Sequence, residues 1–140
     1  TPEEQHTMLT LWCLFGSPLM LGCELTKLDD ATLALLTNRD VLSMLTPDCK
    51  PHQVCLDDEK AIWCAYNAVT GEHFAAFFNL SDETQTIHCD IETLHVGDEP
   101  CAHKDASLTE LWSKEKTSVS GSAISVTPPA HGCLVFRVEN

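Results

Sequence analysis

The chain has 140 residues, 44% of them hydrophobic, with 21 acidic side chains against 8 basic ones and a formal net charge of −13. That apolar share suffices for one domain with a core and excludes a disordered chain. The charge disfavours nucleic acid and anionic membrane as partners, and no run approaches the roughly 18 apolar residues of a spanning helix.

Thr1-Pro2-Glu3-Glu4 is a helix start: threonine caps, proline takes the first turn, and two acids meet the positive end of the dipole. Met8, Leu11, Trp12 and Phe15 recur at helical spacing, and Leu9, Cys13 and Leu14 widen the stripe. Such a helix expects burial on more than one side. Gly16-Ser17-Pro18 should end it. Pro18 to Gly22 is then a short apolar run with the look of a strand buried on both faces. Asp29 or Asp30 caps a second helix carrying Leu33, Leu35 and Leu36, and Asn38 caps a further turn through Val41, Leu42 and Leu45. Residues 1–46 therefore read helix, strand, helix, helix, the texture of α/β architecture.

The texture changes after residue 50. About seven strands are expected, near 52–56, 61–67, 73–80, 84–89, 108–112, 122–127 and 132–138, with turns at Thr70-Gly71-Glu72, Ser81-Asp82-Glu83 and Pro128 to Gly132. The third strand is apolar on both sides, as a central strand between two layers must be. Asp98 to Ser107 reads as an irregular loop. The fold class is mainly β, a C-terminal antiparallel Greek-key β-sandwich.

Eight cysteines fall below the ~8–10% of a disulfide scaffold. Cys13, Cys64 and Cys133 occupy core-like positions, which favours free thiols in a reducing compartment. No C-x-x-C occurs, and His88-Cys89 and Cys101-x-His103 are weak metal spacings, so no metal or other cofactor is expected. The chain opens at Thr1 without a basic-then-apolar leader. That predicts a processed protein or part of a longer one, and favours a cytoplasmic over a secreted setting.

Paired carboxylates could run glycoside hydrolysis. The candidates Asp29-Asp30, Asp57-Asp58-Glu59 and Asp98-Glu99 all sit at helix starts or polar turns, which already explain them. There is no G-x-S-x-G elbow and no phosphate loop. His131, in a Pro-Pro-x-His-Gly turn, is expected to bond the backbone. Asn79-Leu80-Ser81 matches a glycosylation sequon, but an asparagine and serine closing a turn is the better reading. Trp63 and Trp112 are assigned to strands, where either stacks a sugar or packs in the core with its N–H paired. No catalytic, substrate-binding or metal residue is assigned.

The stretch HTMLTLWCLFGSPLMLGCELTKLDDATLALLTNRDVLSM resembles the end of the catalytic barrel of glycoside hydrolase family 27, the α-galactosidase and α-N-acetylgalactosaminidase family. AIWCAYN, HFAAFFNLSDE, LTELWS and SVTPPAHGCLVFRV resemble its C-terminal sandwich strands in the same order. The resemblance implies that residues 1–48 are the last elements of a (β/α)8 barrel, a helix–strand–helix remnant, and that 49–140 are the sandwich. The sequence departs from the family pattern at Cys23-Glu24 and at Met44 to Cys49. A barrel takes about 200–250 residues, so the family's aspartate nucleophile and acid/base are expected on earlier strands, before Thr1, and none is carried onto this chain. The parent is then expected to hydrolyse terminal α-galactosides, with this chain non-catalytic and partnered in cis by the barrel. A homodimer through barrel-facing segments is a second arrangement. The alternative function is a freestanding carbohydrate-binding module.

Overall fold

A computed structural model describes residues 1–15 and 29–140. The strand expected at Pro18–Gly22, and the helix stop before it, lie outside these residues.

Helix α1 (Pro2–Phe15) starts as its sequence demands. The Thr1 hydroxyl accepts from the Glu4 amide at 3.2 Å, and the Glu4 carboxylate accepts from the Thr1 hydroxyl and amino group. This reciprocal pairing satisfies first-turn donors that have no helical partner. Leu9, Thr10, Cys13 and Leu14 are buried. Met8 and Phe15 are more than half exposed, at 56% and 54%, so among the described residues α1 is covered on one face rather than several. Helix α2 (Asp30–Leu36) is capped by Asp29, whose Oδ1 accepts from the Thr32 amide at 2.7 Å. Helix α3 (Arg39–Leu42) is capped by Asn38, which accepts from the amides of Asp40 and Val41.

The rest is antiparallel β. The strands are β1 (Cys49–Leu56), β2 (Lys60–Asn67), β3 (His73–Asn79), β4 (Ile87–Asp90), β5 (His95–Val96), β6 (Glu99–Pro100), β7 (Ser107–Glu110), β8 (Lys116–Ser118), β9 (Ala123–Val126) and β10 (Cys133–Glu139). A six-stranded sheet runs β1-β2-β3-β10-β7-β8, while β4 pairs β9 and β5 pairs β6. Consecutive β3 and β4 lie in different sheets, as do β9 and β10, so these connections cross between layers as in a Greek key.

Period-two alternation divides the large sheet into two buried faces. Ile62, Cys64, Ala75, Phe77, Phe136 and Val138 face the small sheet, meeting Ile87, Cys89, Ile124 and Val126. Ala61, Ala65, Phe74, Ala76, Phe78 and Val135 face the helices, meeting Leu9, Cys13, Leu14, Leu35, Val41 and Met44. The doubly apolar third strand is thus explained: β3 lies within the large sheet, between helices and a second sheet. Each fully buried Leu or Phe contributes roughly 1.5–3 kcal/mol, so both layers are strongly attached.

All seven expected strands are present, with shifts of a few residues. Two have local causes. The fourth begins at Ile87 rather than 84, because the side chain of Asn79 holds the turn closed as far as Gln85. The strand expected at 108–112 stops at Glu110, because the chain turns over that residue's carboxylate. Trp112 therefore lies on a turn and not on a strand. The loop expected at 98–107 contains β6, whose hairpin with β5 turns at Gly97, with φ 59°. A positive φ at that position is what a two-residue II′-type loop needs, and glycine adopts it without strain.

Candidate functional site

The acidic clusters do not converge. Asp29 serves as the α2 cap. Asp57 accepts from the amides of Glu59 and Lys60 at 2.8 and 2.9 Å, and these bonds hold its carboxyl below the usual range. Glu99 pairs with His73 at 3.0 Å. His88 bonds Ser125 at 2.7 Å, while the amide of His103 donates to Asn140. Among the described residues, no three His, Cys, Asp or Glu side chains come together as a metal site.

What does converge is a set of polar anchors where helices and turns meet the sheet. Asn79 is 1% exposed. Its amide group donates to the carbonyls of Glu83 and Pro128, and its oxygen accepts from the amide and hydroxyl of Ser81 and from Gln85. Every hydrogen-bonding group of that side chain is engaged, so Asn79 acts as a turn-closing device. His131 sits beside it with φ 54°. Its ring meets Asp82 at 2.8 Å, a carboxylate partner where a backbone partner was expected. The His131 carbonyl accepts from Thr7 of α1 at 2.9 Å. At Gly132 an added Cβ would lie 2.6 Å from the Pro129 ring and 3.1 Å from the Glu3 carboxylate. Only glycine lets the chain pass so close to the Pro129 ring within this turn.

Glu110 is a second anchor, 4% exposed. One carboxylate oxygen accepts from the amides of Trp112 and Ser113 at 2.9 and 2.6 Å, and the other from Val135 at 3.2 Å. Its Leu-Thr-Glu-Leu-Trp context, an acid at an inward strand position, is the signal for it in the sequence. Asp40 of α3 is a third anchor. It pairs with Lys114 and, at 3.4 Å, with Arg137, whose Nε bonds Glu72 at 2.9 Å. The Lys114 ammonium, then the Arg137 guanidinium, hold the Asp40 carboxyl below the usual aspartate range.

Both candidate platforms, Trp63 and Trp112, are packed. Trp112 donates its indole N–H to Thr10 at 3.0 Å and lies 4.5 Å from the His6 ring. Trp63 meets Phe15 edge-on at 5.0 Å. Both pack against the core beneath the helices, so neither stands free as a sugar platform. A cleft of about 420 Å³ opens beside Trp112, lined by His6, Ala31, Ala34, Leu35, Asn38 and Arg39 among others. Among the described residues that line it there is no carboxylate pair.

The seven described cysteines are free thiols. Burial pushes Cys13, Cys49 and Cys133 up to about 11, which makes them inert packing residues.

Residues 57–138 match the family model described as the alpha galactosidase C-terminal beta sandwich domain. Alpha-galactosidase A of Cellvibrio japonicus is 25% identical over 99% of this chain and 36% of its own length. A glycoside hydrolase family 27 β-L-arabinopyranosidase from Geobacillus stearothermophilus is 30% identical, with TM-score 0.87 over 100% of this chain and 31% of that one. Alpha-galactosidase I from Mortierella vinacea superposes with TM-score 0.85 over 99% of this chain and 36% of its own, at 17% identity, a likeness of fold alone. The chain thus spans about a third of the length of these relatives. With the family model covering more than half of the residues, the chain belongs to the α-galactosidase C-terminal β-sandwich family.

Proposed function

We propose that the chain is the C-terminal part of a family 27 retaining glycosidase that hydrolyses terminal α-galactosides, and that it supports the catalytic barrel without reacting itself. The observation that carries this is the helix layer: α1, α2 and α3 cover the face of the sandwich sheet that carries Ala61, Ala65, Phe74, Ala76, Phe78 and Val135, as the expected last barrel elements should. Two further features support it. Among the described residues, no carboxylate pair lines the cleft beside Trp112. Met8, Phe15 and Leu33 remain exposed on the helices, an apolar surface suited to the rest of the barrel in cis. A second copy of the chain is the other occupant of that surface.

The 30%-identical arabinopyranosidase favours a second substrate. A β-L-arabinopyranoside has the ring stereochemistry of an α-D-galactopyranoside without the exocyclic CH₂OH, so both belong in the assay. Free thiols at all seven described cysteines support the further proposal of a reducing, cytoplasmic setting.

A chimera tests the supporting role. Residues 49–140 replace the corresponding sandwich of the Cellvibrio enzyme, and hydrolysis of nitrophenyl α-galactoside and β-L-arabinoside is measured. Activity within about tenfold of the parent is expected, with none from the isolated chain. Turnover by the rigorously purified chain overturns the non-catalytic reading. Heat on titration with millimolar galactose would restore a binding module.

A further inference from the structure

We propose that the cavity where β7, β8, β9 and β10 meet is a binding site for a small organic cation, a primary ammonium carried on one apolar ring, with Glu110 as its counter-ion. This goes beyond the glycosidase reading and does not depend on it.

The strand register places the necessary groups on one face. Glu110 of β7 pairs directly with Phe136 of β10, and Thr117 of β8 pairs with Leu108 of β7. Directly opposed residues of antiparallel strands project to the same side, and so do residues two apart on one strand. Thr117, Glu110, Phe136 and Leu134 therefore share the side of the large sheet that faces the small one, where Leu108 and Phe136 join the core. The pairing of β10 with β7 ends at Phe136, and the small sheet has two strands against six. At this corner a cavity of about 190 Å³ lies between the layers. Its apolar wall is Phe136, Leu134 and Val126, the last from β9 of the small sheet, and Glu110 lines it beside them. Lys116 and Thr117 of the edge strand β8 form its exposed rim.

Glu110 has one acceptor position to spare. A carboxylate offers about four. Backbone N–H groups fill two on one oxygen and one on the other, and no further donor reaches it among the described residues. The residue is 4% exposed, so its charge is weakly screened by water. Glu115 adds a second acid to the lining against one base, Lys116, which favours a cation over an anion. An ammonium supplies both the missing donor and the opposite charge, and such a charge-assisted bond is stronger than a neutral one. The volume sets the rest of the ligand. An apolar cavity of about 150 Å³ takes benzene, so this one admits a single ring with a short ammonium-bearing arm. A hexose is less suited, because its hydroxyls surround the ring and Val126, Leu134 and Phe136 offer them no partner.

The test titrates the whole chain with benzylammonium, reading calorimetry and amide NMR shifts in about 0.15 M salt, which screens exposed charges. Benzyl alcohol keeps the ring without the charge, methylammonium keeps the charge without the ring, and benzoate reverses the charge. The expected result is saturable binding of benzylammonium, with shifts centred on Glu110, Thr117 and Phe136. Benzyl alcohol and methylammonium should each bind about tenfold more weakly or worse, and benzoate not at all. Thr117→Trp, at an exposed position whose side chain shares the cavity face, should abolish binding and leave the circular dichroism unchanged. Glu110→Gln should bind benzylammonium no better than benzyl alcohol. Should that variant fail to fold, Thr117→Trp and the ligand series decide. Methylammonium binding as tightly as benzylammonium marks mere attraction to an acidic surface and overturns the proposal. So does binding that persists in Thr117→Trp, galactose that binds more tightly than benzylammonium, or no binding of benzylammonium.

Discussion

Single side chains hold this fold where its layers change direction. Glu110 accepts three backbone N–H groups from inside the protein. Removing it strands the buried Val135 donor away from water, at about 1–3 kcal/mol, and loses two charge-assisted bonds that close the turn at Trp112 and Ser113. Glu110→Ala should therefore lose about 3 kcal/mol or more in urea unfolding, with Glu110→Gln intermediate. Asp40 predicts a pH dependence. Its folded pKa is depressed by Lys114, then Arg137, so its contribution is full above the ordinary aspartate value of about 3.9 and is lost as pH falls through the folded value. Stability should hold steady from neutral pH to about 5 and then decline below 4. Asp40→Asn should lower the plateau and flatten that decline. The effect will be modest, because the Asp40 side chain is 38% exposed and solvent screens the pair.

At the scale of elements, helix α1 is tied to the turn at Pro128 to Gly132. The tie needs Thr7 on the His131 carbonyl and a glycine beside Pro129. Gly132→Ala puts a methyl into the proline ring, which is backbone-anchored and cannot swing aside. It should destabilise by about 1–3 kcal/mol, read as a lower Tm. The near-ultraviolet signal of the Trp112 indole, which bonds Thr10 on α1, should weaken in the same variant. Turn chemistry also explains where the expected strand boundaries shifted. Asn79 and Glu110 each terminate a strand with a side chain, and alternation of apolar residues carries no mark of that.

For the molecule as a whole, the central strands of the large sheet are covered on both faces. Residues 49–140 alone would bare Ala61, Ala65, Phe74, Ala76, Phe78 and Val135, now covered by α1, α2 and α3. Expressed without residues 1–48, the sandwich should bind hydrophobic dye strongly and aggregate. Expressed whole, it should unfold in one transition, with circular dichroism and tryptophan fluorescence coinciding. A soluble, dye-silent 49–140 chain would show the sheet to be self-sufficient.

Local physics was legible in the sequence. The caps at Thr1, Asp29 and Asn38, the doubly buried third strand and the ordered strand motifs each rest on residues within a few positions of one another. The same is true of the turn reading of Asn79. The β5–β6 hairpin and the turn at Trp112 were not legible. Two-residue strands show no period, and a carboxylate accepting from Val135, 25 residues on, leaves no local trace. Sequence alone determined which residues must be buried and where most elements begin. Tertiary structure decided what covers them, because burial is a pattern along the chain but contact is a fact about distant parts of it.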